Sequence, residues 1–159
     1  MKDDEYFMRQ ALAEAEQCLR KGEVPVGALV VFEDRILSRG HNQPVSKNDP
    51  TAHAEVVVLR KACLRRKNYR LPDCDLYVTL EPCAMCLGAA VQARIKRLVY
   101  GAPDPKAGAV KSIMSFPFAK TNHRIEVKGG VLTEESGKLL RDFFKKRRKK
   151  GEKERWPSG

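Results

Sequence analysis

The sequence predicts an α/β fold, a three-layer α/β/α sandwich built on a mixed central sheet of about five strands. Two patterns carry that reading. Segments with helical spacing alternate with short runs rich in Val, Ile, Leu and aromatic residues, the order that produces a partly parallel sheet with helices on both faces. The chain has 159 residues, enough to bury most of its apolar surface around one core. Residues 1–150 are therefore read as a single domain, and residues 151–159 as a basic, flexible C-terminal tail.

Between residues 3 and 21 the apolar positions Tyr6, Phe7, Leu12, Ala13, Ala15 and Leu19 follow a helical face, and Gly22 supplies the stop. "VGALVVF" and "RILSRG" flank the pair Glu33 and Asp34, which reads as a hairpin with a tight turn. "HNQPVSKNDP" is dense in turn formers and is expected to hold no regular element. "TAHAEVVVLRKACLRR" has helical spacing, with Thr51 as its N-cap. Pro72 and Asp73 mark a turn, "CDLYVTL" a buried strand, and "PCAMCLGAAVQAR" a helix starting at Pro82. "IKRLVYG" is the next strand, "RIEVKGG" a short last one, and "TEESGKLLRDFFKKRRKK" the closing helix. Residues 102–121 are irregular and long for a connection in a compact domain, and such loops are often functional.

The net charge of +11 is unevenly spread: residues 138–159 hold ten Lys or Arg against three Asp or Glu. A field of that sign favours polyanions such as nucleic-acid phosphates, although a solvated face that only aids solubility fits the charge equally well. Five cysteines, without an export signal, argue against a disulfide framework and leave free thiols or metal ligands. The first 21 residues are too acidic and charged for a signal peptide, and no stretch has the roughly 18 unbroken apolar residues of a membrane span. The expectation is a soluble, cytoplasmic protein with no membrane association.

Chemistry concentrates in two stretches, "DPTAHAEV" and "LEPCAMC". Residues two apart on a helix point in different directions, yet His53 and Glu55 both fall in a first turn, where side chains lean back and reach a common point beyond the helix end. Cys83 and Cys86 open the next helix, where free backbone N–H groups and the positive end of the macrodipole favour thiolates. One imidazole and two thiolates suit zinc, and three protein ligands leave a fourth position for water, the catalytic arrangement. Zinc lowers the pKa of bound water to about 7. Glu55 is then read as a proton shuttle rather than a ligand.

Singly, each motif is weak. A lone histidine in an apolar helix is usually a hydrogen-bonded core residue, and a lone C-x-x-C can be a redox dithiol. Together, H-A-E and P-C-x-x-C match the H-x-E…P-C-x-x-C signature of zinc nucleobase deaminases. Cys63, far along its helix, and Cys74, at the start of a strand, are read as buried, inert thiols.

Through "EVPVGALV", "GHN", "DPTAHAEV", "LYVTLEPCAMCLGAA", "GAPDPKAG", "NHR" and "DFFKKRR" the chain resembles the bacterial tRNA adenosine deaminases, the TadA family, from its first helix to its basic last one. The resemblance implies a cytidine deaminase-like fold and a hydrolase acting on a cyclic amidine C–N bond. The implied reaction converts adenosine to inosine at the wobble position of a tRNA anticodon, with arginine tRNA as the expected substrate. It implies one Zn2+ per subunit on His53, Cys83 and Cys86, with Glu55 as the catalytic proton carrier.

For the substrate it implies Asn42 as a purine contact, Val26 and Ala54 as walls of the base pocket, the latter through its N–H, and Asp104 beside the target ribose. Lys106 and Asn122 are implied on the anticodon loop. Phe143 and Phe144, followed by "KKRR", combine aromatic faces with phosphate-seeking cations, a mix suited to splayed bases. Adjacent helical positions lie about 100° apart, so one of the two rings is expected to face the core. A homodimer with the tRNA anticodon stem-loop as partner follows from the resemblance.

Two features depart from the family's pattern. "SIMSFPFAKT" is more apolar than a solvent loop, and "KERWPSG" has no clear counterpart. Three other readings stay open at this point: the same chemistry on a free nucleobase or nucleoside of guanine or cytidine type, a non-catalytic zinc-stabilised RNA-binding module, and a thiol oxidoreductase.

Overall fold

Strands β1 (Gly27–Phe32) and β2 (Arg35–His41) form an antiparallel hairpin in the computed structural model, which describes residues 1–149. The proposed tail, residues 151–159, lies outside the described residues. Glu33 and Asp34, the two turn residues, have φ of 46° and 66°, the left-handed pair whose twist matches that of the flanking strands. β1 pairs antiparallel with β3 (Asp75–Leu80) on its other edge. From there the sheet is parallel, β3 with β4 (Arg97–Ala102) and β4 with β5 (Glu126–Lys128), giving the order β2-β1-β3-β4-β5. The mixed five-stranded sheet matches the fold class read from the sequence.

Side chains alternate across this sheet and bury both faces. Leu29, Val31, Tyr77 and Val99 meet Phe7, Met8 and Ala11 of α1 (Asp4–Gln17). Ala28, Val30, Leu76, Val78 and Leu98 join Val58 and Ala62 of α3 (Ala54–Arg66) and Leu87, Ala90 and Val91 of α4 (Ala84–Gln92). Each fully buried Leu, Val or Phe stabilises by roughly 1.5–3 kcal/mol relative to exposure. The last helix, α5 (Thr133–Lys149), shares the face of α1: its Ser136 abuts Gly101, and Arg9 pairs with Glu135 at 3.6 Å. Gly27 lets α1 lie directly on β1, since a Cβ there would collide with the Ala11 carbonyl.

Four boundaries differ from the sequence reading. α1 ends at Gln17 and passes into a single 3-10 turn, Cys18–Arg20. The stretch expected to be irregular holds a one-turn helix, α2 (Pro44–Lys47), because the buried Glu23 carboxylate accepts from the Val45 and Ser46 N–H groups at 3.2 and 2.6 Å. α3 is capped by His53, not Thr51, whose hydroxyl is turned back to donate to Asp49 at 2.7 Å. α4 begins after Cys83 rather than at Pro82. Among the described residues no helix is long and apolar enough to cross a membrane.

Candidate active site

His53 and Cys83 occupy equivalent places, each the extended N-cap residue of a helix, with φ, ψ of −65°, 151° and −78°, 172°. Neither side chain caps its own helix, so both are free to turn toward each other. The start of α3 is capped instead by Asn42, whose Oδ1 accepts from the Ala54 N–H at 2.8 Å. His53 Nδ1 then lies 3.5 Å from Cys83 Sγ and 3.4 Å from Cys86 Sγ, and all three donor atoms fall within 4.8 Å of one another. A tetrahedral zinc with Zn–N near 2.1 Å and Zn–S near 2.3 Å sets an N···S separation of about 3.6 Å. One nitrogen and two sulfurs at these spacings fit a single metal ion.

The electrostatics of the site are those of a group of donors held close together out of water. The Cys86 thiol donating to Cys83 holds the Cys83 thiol down at about 4 against burial, with His53 adding to the effect, while the same contact and burial drive Cys86 upward. Two sulfurs this close cannot both be anionic without a cation between them. Burial lowers the His53 imidazole, but the Cys83 sulfur and the Glu55 charge outweigh it, and the net direction is upward. Glu55 has no solvent exposure, and burial pushes its carboxyl up to about 7. Neither of its oxygens reaches a partner with normal hydrogen-bond geometry; the polar groups acting on it are its own N–H, His53, Cys83 and Cys86. An acid in that state can accept or release a proton near neutrality.

The remaining candidates are placed unevenly. Val26, Ala54 and Asn42 are buried, Asn42 bonded to the helix that carries His53 and Glu55; the Ala54 N–H, expected at the base, is held by Asn42 Oδ1. Asp104 is buried, its Oδ1 accepting from the Lys106 and Ala107 N–H groups at 3.0 and 3.3 Å, and Lys106 itself is exposed. Asn122 is also exposed, next to His123, whose ring nitrogen bonds the Ile95 carbonyl at 2.7 Å, at the opposite end of the sheet from Cys83. Phe143 and Phe144 are both buried, 8% and 3% exposed, so the expectation that only one ring faces inward is not met. The two pack edge to face at 5.1 Å, and the Arg147 guanidinium lies over Phe143 at 4.9 Å. Cys74 is buried as expected, whereas Cys63 is only half-buried.

One residue escaped the sequence reading. Glu81, directly before Pro82 and Cys83, is fully buried and gathers the loop that carries Asp104. Its signal was there: an acid inside the otherwise apolar run "LYVTLEPC" has to find partners if it is buried.

A mixed sheet with two helix starts, a His/Cys/Cys donor set and a buried acid gathered beyond the end of its central strand is the arrangement of a deaminase with a place for one metal ion. Residues 2–148 match the family model for MafB19-like deaminases. The chain is 50% identical over 147 residues to a tRNA-specific adenosine deaminase of Haemophilus influenzae, covering 91% of this chain and 85% of that one. It is 44% identical over 151 residues to the tRNA-specific adenosine deaminase of Bacillus subtilis, covering 94% of each. A structure from a study of A-to-I editing by tRNA:A34 deaminases at the wobble position of transfer RNA superposes with a TM-score of 0.82 at 47% identity, over 85% of this chain and 99% of that one. The chain belongs to the MafB19-like deaminases and, within them, to the tRNA-specific adenosine deaminases.

Proposed function

We propose that this protein hydrolytically deaminates adenosine to inosine at the wobble position of a tRNA anticodon, with arginine tRNA as substrate and one Zn2+ per subunit. The observation that carries the reading is the buried Glu55 carboxylate set against the His53, Cys83 and Cys86 donors, in a chain up to half identical to tRNA-specific adenosine deaminases. Bound to those donors, Zn2+ supplies the Lewis acidity that makes water a nucleophile at neutral pH. Glu55 takes a proton from the attacking water and delivers it to the departing amino group, so that water adds at C6 of the base and ammonia leaves. Asn42, with its oxygen committed to the Ala54 N–H, offers its amide donors to a purine acceptor. Val26 and Ala54 wall the base.

Asp104 and Lys106 meet the ribose and the anticodon loop, while Asn122, exposed at the other end of the sheet, meets RNA away from the reacting base; the buried Phe143 and Phe144 seat α5, whose Arg147 and exposed lysines are the part that meets phosphate. Residues 1–150 serve as one catalytic domain acting in the cytoplasm. A homodimer belongs to the same reading, from the likeness to the family.

The test is inosine formation in a synthetic arginine tRNA anticodon stem-loop by zinc-loaded protein, with free adenosine, cytidine and guanine in parallel. Conversion of the wobble adenosine alone is the expected result. Turnover of a free base without the RNA would assign the site to small-molecule deamination, and zinc-loaded protein inert on all four would contradict enzyme function.

A further inference from the structure

The loop after β4 is built around a single carboxylate. Glu81 Oε1 accepts from the Asp104 N–H at 3.1 Å, and Oε2 accepts from the N–H groups of Val110, Lys111 and Ser112 at 3.0, 2.9 and 3.1 Å. The Ser112 hydroxyl donates to Oε1 as well. Gly108 closes over the carboxylate so tightly that a Cβ would collide with it. Converging backbone N–H groups make an anion nest, and bonds to an ionised acceptor are about twice as strong as neutral ones.

This nest joins two parts of the molecule, the turn that carries Cys83 and the loop that follows β4. On one side Glu81 continues β3 into Pro82 and Cys83, its own N–H donating to the Ala102 carbonyl at 2.8 Å. On the other it grips both ends of the segment that presents Asp104 and Lys106, and Ala109 ties the middle of that segment to the Pro82 carbonyl at 2.8 Å. A shift of the Glu81 carboxylate moves the loop relative to Cys83. Displacements of about 1 Å at a site of this kind cost up to 100-fold in rate.

We propose that Glu81 is a positioning residue for substrate: it sets the 104–112 loop against the metal-ligand turn, so that Asp104 and Lys106 meet the RNA in register with the reacting base. The inference rests on the assignment of that loop to RNA contact. A purely structural Glu81 would stabilise the fold and leave substrate affinity untouched.

The experiment compares full-length, zinc-loaded wild type with Glu81→Gln, Gly108→Ala, Lys106→Ala and the Glu81→Gln/Lys106→Ala double variant on the anticodon stem-loop. Metal content and amide exchange of residues 110–112 are read beside the kinetics. Glu81→Gln and Gly108→Ala are expected to raise KM about fivefold or more, with kcat within about twofold and zinc content unchanged. Their 110–112 amides exchange faster, and the double variant raises KM by less than the product of the single effects. Unchanged KM in Glu81→Gln and Gly108→Ala, with Lys106→Ala raising it, overturns the positioning role alone. Unchanged KM in Lys106→Ala overturns it through its premise, the loop's contact with RNA. Should Glu81→Gln lose zinc, Gly108→Ala with full zinc and wild-type KM would be the contradicting result.

Discussion

The two ends of the parallel strands are both polar, but they treat charge in opposite ways. At the N-terminal end of β3 and β4, Asp4 accepts from Arg97 at 2.6 and 3.0 Å, from the Tyr77 hydroxyl at 2.7 Å and from Lys128 at 2.9 Å, and Arg97 also reaches Asp75 at 3.2 Å. These contacts hold Asp4 well below the usual carboxylate range, chiefly through Arg97. At the C-terminal end, Glu55 is more deeply buried than Asp4 yet has no such partners, and its carboxyl rises. The first end is arranged for stability; the second, on the proposed function, serves proton transfer, and one sheet carries both.

That contrast can be broken from either side. The largest effect is expected at the open end: Cys86→Ala removes one of the three donors and should abolish both zinc binding and inosine formation, read by metal analysis and by the stem-loop assay. At the closed end, Arg97→Ala strips Asp4 and Asp75 of their shared cation and is expected to cost roughly 2–3 kcal/mol in denaturant unfolding, while the zinc-loaded variant keeps its activity below its Tm. A smaller effect separates the ends by pH. The folded Asp4 carboxyl is depressed, so its stabilisation is complete above the unfolded value of about 4 and is lost as pH falls through that region. Asp4→Asn should therefore flatten the acid side of the Tm profile below about pH 4, whereas wild type falls steeply there.

How much of this the sequence disclosed follows from where the partners lie along the chain. That His53, Cys83 and Cys86 would meet was legible because few residue types bind metals and the spacing to each helix start is local, and Glu55 because it shares a first turn with His53. The hairpin, the parallel strands and four of the helices were legible from periodicity and turn chemistry. For Glu81 the sequence showed only an acid inside an apolar run; its partners, four backbone N–H groups and the Ser112 hydroxyl, lie 23 to 31 residues onward and have no local pattern that points back to it. α2 was missed for the same reason, its anchor being Glu23, some 22 residues before. The two phenylalanines of α5 show the limit of reading a helix alone. Both rings belong to the core cluster that includes strands β3 and β4, so packing distant in sequence, and not the step of about 100° between neighbours, decides that both are covered.

The central claim is that Glu55 is kept for chemistry and contributes nothing to the fold. Glu55→Gln keeps the size of the side chain and removes the charge that burial disfavours. Zinc content, Tm and inosine formation measured together on this variant test the claim directly. The account predicts full zinc, a Tm equal to or above wild type, and a fall in kcat of about 100-fold or more. A Tm several degrees lower with activity retained would contradict it.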